Sequence, residues 1–243
     1  MPKTSKIRVY VENELICGSE IVPNAELTHY LLTVMRLQSG ERILAFDGHN
    51  GEFEAELATI GKKSAILKII SKTRNFYQVP DIRLLFAPLK KDCTDFVVEK
   101  ATELGVAAIV PVITDYTISE KVKIERWHAQ AIEAAEQCRR VDIPQIAEAI
   151  TLDKLLADWD KNRTLYFMDE TGNGRPAAEI FRDAPAPADF LIGPEGGFSE
   201  RELTLLRSQP YARAVNLGPR ILRAETAAIT ALACWQSLSG DWK

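Results

Sequence analysis

Residues 191–200, LIGPEGGFSE, set three glycines around one carboxylate. Gly193, Gly196 and Gly197 permit a tight turn with positive φ and let a ligand approach the backbone closely. Ser199 and Glu202 have the S-x-x-E spacing of a capping box, so a helix is expected to begin near Ser199. A helix start behind glycines suits a phosphate. Here the P-loop lysine and the G-x-G-x-x-G spacing are both missing, and Glu195 would repel a pyrophosphate. The pattern therefore favours a neutral or cationic ligand. The same residues also make an ordinary strand–helix turn, and at this stretch alone the two readings stand level.

Two further stretches have comparable chemistry. In NLGPRILRAETAAITAL, Leu217 and Gly218 end an apolar run, Pro219 to Leu222 make a stiff turn, and Arg220 and Arg223 precede Glu225 and Thr226. An arginine can hold a phosphate or a polarised carbonyl through two parallel hydrogen bonds, although a loop arginine taken singly is usually just solvated. TLYFMDETGNG ends a third apolar run at Met168, Asp169 and Glu170. Open α/β sheets bind ligands beyond the carboxyl ends of their strands, so three such turns could together build one cleft.

The elements that would position these turns are legible in outline. From about residue 76, apolar strands (IRLLFAP, AAIVPVIT, TLYFMDE, DFLIGP, RAVNLG) alternate with helical stretches over residues 92–104, 124–139, 200–208 and 224–238. That alternation predicts an α/β domain with a mostly parallel sheet. RDAPAPAD, residues 182–189, reads as a surface loop. Residues 1–75 read instead as a small β-rich domain, with strands in IRVYVENELI, RILAFD, EFEAELATI and SAILKIISK and a helix over residues 25–37. Short strands of this kind suggest a small barrel. The domain boundary is placed at residues 74–80.

The chain has 243 residues and a formal net charge of -4, so its global field does not advertise nucleic acid, although a local basic patch can. Four cysteines stand without a C-x-x-C pair and only three histidines are present, which removes zinc-ligand spacing. No metal is expected. The N-terminus lacks an apolar signal core and no apolar run reaches membrane-spanning length, so a cytoplasmic protein with no membrane partner is expected. Glu99, Lys100 and Glu103 read as a salt-bridged surface. Glu136, Gln137, Arg139 and Arg140 form a polar cluster at a helix end that could face RNA or a partner.

Four motifs in order, EKATELGV, EAAEQCRR, IGPEGGFSERE and LGPRILRAETAAI, together with HYLLTVMRLQSGERILAFDG near the N-terminus, resemble the bacterial 16S ribosomal RNA uridine-N3 methyltransferases. The likeness covers nearly the whole chain. Arg139 stands where that family frequently has glycine, and Ala224 where threonine is common. The resemblance implies a PUA-like RNA-binding barrel over residues 1–75 and, over 76–243, a SPOUT domain, an α/β fold with a trefoil knot. It further implies a homodimer, S-adenosylmethionine as cofactor, and N3 of a specific uridine of 16S RNA in the 30S subunit as the methyl acceptor. Carried over by position, Met168, Gly193, Glu195, Gly197, Leu217, Gly218, Ile221, Leu222, Arg223 and Thr226 would line the cofactor cleft. Arg223 would stabilise the uracil anion and Glu195 is the candidate proton acceptor. Arg8, Arg36 and Arg140 are candidates for contact with RNA. A ribose 2′-oxygen methyltransferase and a non-catalytic RNA-binding factor on the same fold are the competing readings.

Overall fold

The computed structural model describes residues 7–60, 64–118 and 122–242. They divide into two compact units, one holding the described residues up to Gln78 together with Ala135–Ile143, the other Val79–Ala134 and the described residues from Pro144 onward. The grouping of residues 135–143 with the first unit has no counterpart in the sequence expectation, which left them in the second.

The first unit contains β1 (Arg8–Tyr10), β2 (Glu20–Ile21), α1 (Ala25–His29), β3 (Arg42–Phe46), β4 (Glu52–Ile60) and β5 (Ala65–Arg74). The strand order is β1-β3-β4-β5-β2, with β1 parallel to β3 and the remaining pairs antiparallel. Among the described residues the hydrogen-bonded path is open between β1 and β2. Alternate residues Ile43 and Ala45, Ala55 and Leu57, Leu67 and Ile69 share one buried core with Leu31, as the two-residue period of a strand requires.

Two expectations need correction here. The strand expected from IRVYVENELI is confined to Arg8–Tyr10, because its partner β3 ends at Phe46 and the ladder has nothing further to pair with. The helix expected over residues 25–37 is α1 followed by a single π-helical turn, Tyr30–Val34. The wider turn carries Val34 into solvent, 58% exposed, and Arg36 ends it with φ at 55°.

The second unit contains β6 (Ile82–Phe86), α2 (Lys91–Glu103), β7 (Ala108–Ile113), α3 (Ile124–Cys138, whose last turn groups with the first unit), β8 (Gln145–Ile146), β9 (Ile150–Thr151), α4 (Leu152–Ala157), β10 (Thr164–Met168), β11 (Arg175–Pro176), α5 (Ala177–Ile180), β12 (Ala188–Ile192), α6 (Glu200–Arg207), β13 (Ala212–Asn216) and α7 (Ala224–Leu238). The sheet runs β11-β13-β10-β12-β6-β7-β8, all parallel, and β9 adds to the end of β7. A parallel sheet is covered on both faces. On one face Leu85, Leu165, Phe167 and Leu191 pack with Phe198, Leu203 and Leu206. On the other, Tyr166, Phe181, Phe190 and Trp235 form a chain of ring contacts with centroids 5.3–5.9 Å apart.

The 182–189 segment is only partly a surface loop: Ala184 is buried, and its carbonyl accepts a hydrogen bond from Trp235 Nε1 at 2.8 Å. At the amino ends of the central strands Asp189 is fully buried between two arginines, with Arg83 Nε at 2.7 Å and Arg163 Nε at 2.9 Å. The opposite, carboxyl ends are left for the loops.

Candidate functional site

Those loops converge. One cleft of about 860 Å³ is lined by the turns after β10, β12 and β13 and by the start of α2. Of the residues expected from the sequence, Met168, Gly193, Glu195, Gly197, Leu217, Gly218, Ile221, Leu222 and Arg223 line it. Thr226 does not: it is exposed one step along α7, while its neighbours Glu225 and Ala227 face the cleft.

The turn after β10 is held by Asp169, which is buried although it is an acid. Its backbone N–H continues the ladder to the Val215 carbonyl at 2.9 Å. Its Oδ1 accepts from the backbone N–H of Thr171 at 3.0 Å and from Thr171 Oγ1 at 2.6 Å, and Arg207 donates to Oδ2 at 2.7 Å. Burial alone would raise the carboxyl pKa, but the Thr171 and Arg207 hydrogen bonds win and hold it below the ordinary aspartate range. The sign follows. A depressed native pKa contributes stability that is fully present above the ordinary aspartate range and is lost as pH falls through the lowered value. An acid titration of the melting temperature is expected to be flatter in Asp169→Asn than in the parent chain, and superimposable curves would refute the assignment.

The glycine turn is built tightly. Gly197 has φ at 71°, and its N–H closes the turn on the Pro194 carbonyl at 2.9 Å. A Cβ at Gly197 would enter the space held by the Glu170 carboxylate, and one at Gly193 would meet the Phe198 ring at 3.2 Å. Ser199 is the N-cap of α6 and the capping box with Glu202 is formed, as the S-x-x-E spacing implied. Glu202 is fully buried and does more than cap: Oε2 accepts from Ser199 N–H and Oε1 from Asp115 N–H, each at 2.9 Å. Ser199 Oγ reaches Asp115 Oδ2 at 2.6 Å. One buried carboxylate thus joins the turn after β7 to the turn after β12.

The third turn is closed by Asn216, whose Oδ1 accepts from Gly218 N–H at 2.7 Å, with Gly218 at φ 114°. Ile221 is 86% exposed at the cleft mouth. Arg223 is the N-cap of α7 but its side chain makes no capping bond. Its guanidinium lies instead in a charged corner with Glu195, Glu225 and Cys93. Burial first, and then the two carboxylates, push the Cys93 thiol above its usual range, while Arg223 pulls the other way. Glu170, Glu225, Asn216, Lys90 and Cys93 join the lining without having been singled out for it. Glu170, Asn216 and Glu225 lie inside the stretches whose turns were expected to build the cleft, so the signal was there; Lys90 and Cys93 come from a distant helix start and had none.

The arginines expected to meet RNA separate into two kinds, each described within the first unit. Arg36 is exposed. Arg8 and Arg140 are 8% and 3% exposed, and the structure corrects their expected role. Arg8 caps the end of α3, donating to the Ala135 carbonyl at 2.8 Å and the Arg140 carbonyl at 2.5 Å, with its charge met by Glu52 at 2.6 Å. Unpaired carbonyls at a helix end favour such a cation. Arg140 is turned inward onto Asp142 at 2.7 Å. Lys100 bridges Glu99 and Glu103, as the surface reading of that cluster had it.

Among the described residues no group of acids, histidines and cysteines could hold a metal, and no helix is long and apolar enough to cross a membrane.

An RNA methyltransferase domain family matches residues 77–236, and an RNA methyltransferase PUA domain family matches residues 23–70. The ribosomal RNA small subunit methyltransferase E of Rickettsia conorii is 34% identical over 228 residues, 93% of each chain. The crystal structure of the ribosomal RNA small subunit methyltransferase E from Neisseria gonorrhoeae, bound to S-adenosyl methionine, superposes with a TM-score of 0.88 at 31% identity and covers 98% of this chain and 99% of that one. A methyltransferase from Legionella pneumophila with bound cofactor SAM superposes with a TM-score of 0.86 at 32% identity over 97% of this chain and 98% of that one.

Proposed function

We propose that this chain, which belongs to the ribosomal RNA small subunit methyltransferase E family, transfers the methyl group of S-adenosylmethionine to N3 of a specific uridine in the 16S RNA of the 30S subunit. The observation that supports the reading most is the meeting of three strand-end turns at one cleft, with a carboxylate-bearing glycine turn among them. The residues fit the cofactor. The volume lies within the range of roughly 300–1,000 Å³ usual for small-molecule sites. Met168, Leu217 and Leu222 supply apolar wall, Gly218 has open space where a side chain would stand, and Glu170, Glu195 and Glu225 set negative charge along the lining, which suits a cation. S-adenosylmethionine, when bound, supplies an electrophilic methyl carbon on a sulfonium.

The chain's own residues must then make uracil a nucleophile. Its N3 carries a proton, and the lone pair is poor until that proton leaves. Arg223, exposed at the cleft and free of any capping bond, is our candidate to stabilise the resulting anion through a uracil carbonyl oxygen. Glu195, exposed and lining the same cleft, is the candidate acceptor for the proton. Much of the acceleration is expected from holding the base in line. Arg36 remains a candidate phosphate contact. The enzyme is read as a homodimer with a knotted cofactor site; a solution mass about twice the 27.1 kDa of one chain checks the first of these.

Gly197→Val is expected to abolish cofactor binding while far-ultraviolet circular dichroism stays native. A β-branched residue is poorly tolerated at φ 71°, and its Cβ would have to displace the Glu170 carboxylate, which lines the cleft. Unchanged affinity by calorimetry would sink this. The activity itself is tested by labelled methyl transfer to 30S particles lacking their own modification, followed by digestion of the RNA. Recovery of 3-methyluridine supports the assignment, a methylated ribose moves the reaction to the sugar, and no transfer with no cofactor binding rejects it.

A further inference from the structure

Only two non-glycine residues among those described have positive φ, Arg36 at 55° and Arg139 at 65°. Both are exposed arginines that follow a helical turn. The left-handed region is disfavoured for a residue with a Cβ, and glycine is the usual occupant of this position after a helix. Something other than backbone geometry therefore has to favour a long cationic side chain at Arg139.

Its surroundings within the first unit indicate what. The Arg139 carbonyl accepts a hydrogen bond from Arg74 at 2.7 Å, so the two arginines sit together. The Arg74 guanidinium also lies 5.9 Å from the centre of the Tyr77 ring. Phe76 and Tyr77 are 39% and 44% exposed, unusual for two consecutive aromatic residues. This short segment is held in place from below. Gly51, with φ at 102°, lets the backbone of Arg74 to Phe76 lie directly against it, and a Cβ there would stand 2.8 Å from the Phe76 nitrogen. Glu52, which is buried, bonds Arg8 and Thr73 at 2.6 and 2.9 Å and also pairs with Arg74 at 3.9 Å, so it offsets part of the Arg74 charge and leaves Arg139 as the cation that is open to a phosphate. No described carboxylate pairs with Arg139. Cations and exposed aromatic rings interleaved on a fixed backbone are what unpaired nucleotides bind, with phosphates on the arginines and bases stacked on the rings.

We propose that Arg139, Arg74, Phe76 and Tyr77 form a platform for single-stranded RNA that helps to seat the substrate of the methyl-transfer reaction. The inference rests on the reading of the chain as an enzyme acting on RNA. It also replaces Arg140 by its neighbour: one arginine of the pair is turned inward as structure, the other outward as contact.

The test uses the full chain, a fluorescein-labelled single-stranded oligouridine, and 30S particles as methyl acceptor. Arg139→Gly restores the residue that suits the backbone, so its melting temperature is expected to be unchanged or raised. Its affinity for the oligonucleotide should fall about 3- to 10-fold at low salt, and the slope of log affinity against log salt should shrink by about one. Tyr77→Ala should lose affinity by roughly 5- to 100-fold, as expected for one unstacked base, while Tyr77→Phe retains it. In both weakened variants KM for particles should rise with kcat and cofactor affinity unchanged. Parental affinity and salt slope in Arg139→Gly would overturn the platform, as would a loss in Tyr77→Ala that Tyr77→Phe shares. A surface that serves a protein instead of RNA gives the first of these results. If the parent chain methylates particles and Arg139→Gly does so with the same KM, the platform falls and the reaction stands. If the parent chain transfers no methyl but the salt-dependent difference persists, the platform stands and the reaction assignment falls.

Discussion

Replacing Arg223 by alanine is expected to lower methyl transfer about 10²- to 10³-fold, the range seen when one preorganised donor to a developing oxyanion is removed, while cofactor affinity stays within a few-fold of the parent. Arg223 opens α7 without capping it, so its guanidinium is not needed for the helix. It lies at the same cleft corner as Glu195 and Glu225, where a positive group facing a uracil oxygen would offset the charge left when N3 loses its proton. Arg223→Lys should recover only part of the rate, because an ammonium keeps the charge but not the planar fork. Single-turnover rates with saturating cofactor, set beside calorimetric affinities, separate the two roles. Equal loss of rate and of affinity would move Arg223 into the cofactor-binding wall.

The second large effect concerns stability and lies at the other end of the sheet. Asp189→Ala is expected to destabilise the fold by about 3–5 kcal/mol, the cost of removing one partner from a buried ionic cluster. Asp189 accepts four charged hydrogen bonds, from Arg83 at 2.7 and 2.7 Å and from Arg163 at 2.9 and 2.9 Å. Without it, Arg163 keeps one carboxylate, Asp81 at 2.7 Å, beside the Asp81 and Ala188 carbonyls at 3.3 and 3.4 Å, and Arg83 loses its bidentate partner. Denaturant unfolding measures the change, and a loss below about 1 kcal/mol would show that the arginines find water or other acids instead. Because the cluster sits at the amino ends of the strands, cofactor affinity of the folded variant at low temperature should not change.

What could be read in the sequence follows the range of the interactions. The glycine turn, the Ser199–Glu202 box and the strand–helix alternation are encoded within a few residues of each other, and each is found in place. Three strand ends could be expected to meet because a parallel sheet brings its carboxyl ends to one side. Side-chain commitments across the chain were another matter. Nothing near Arg8 announces that carbonyls about 130 positions later will take its guanidinium. Nothing in the pair Arg139–Arg140 says which turns inward; the answer depends on Asp142 and on the left-handed backbone of the first. The helix ending at residue 37 failed for a related reason, since its apolar spacing suits an α-helix and a π-helical turn alike until Arg36 breaks the run. Thr226 was expected from the resemblance alone, and one residue along a helix is a rotation of about 100°, which leaves it outside the lining that Glu225 and Ala227 join.

Glu202 carries a consequence for how ligands are received. Its single carboxylate is shared between the Asp115 and Ser199 amides, and Asp115 is in turn gripped by Arg201 at 2.8 Å. The glycine loop is therefore anchored at its exit and cross-tied to a neighbouring loop while the protein is alone. A loop in that condition has little conformational freedom left to surrender on binding, so affinity is not diverted into ordering it. The glycine loop is therefore expected to hold the same course with and without a ligand in the cleft.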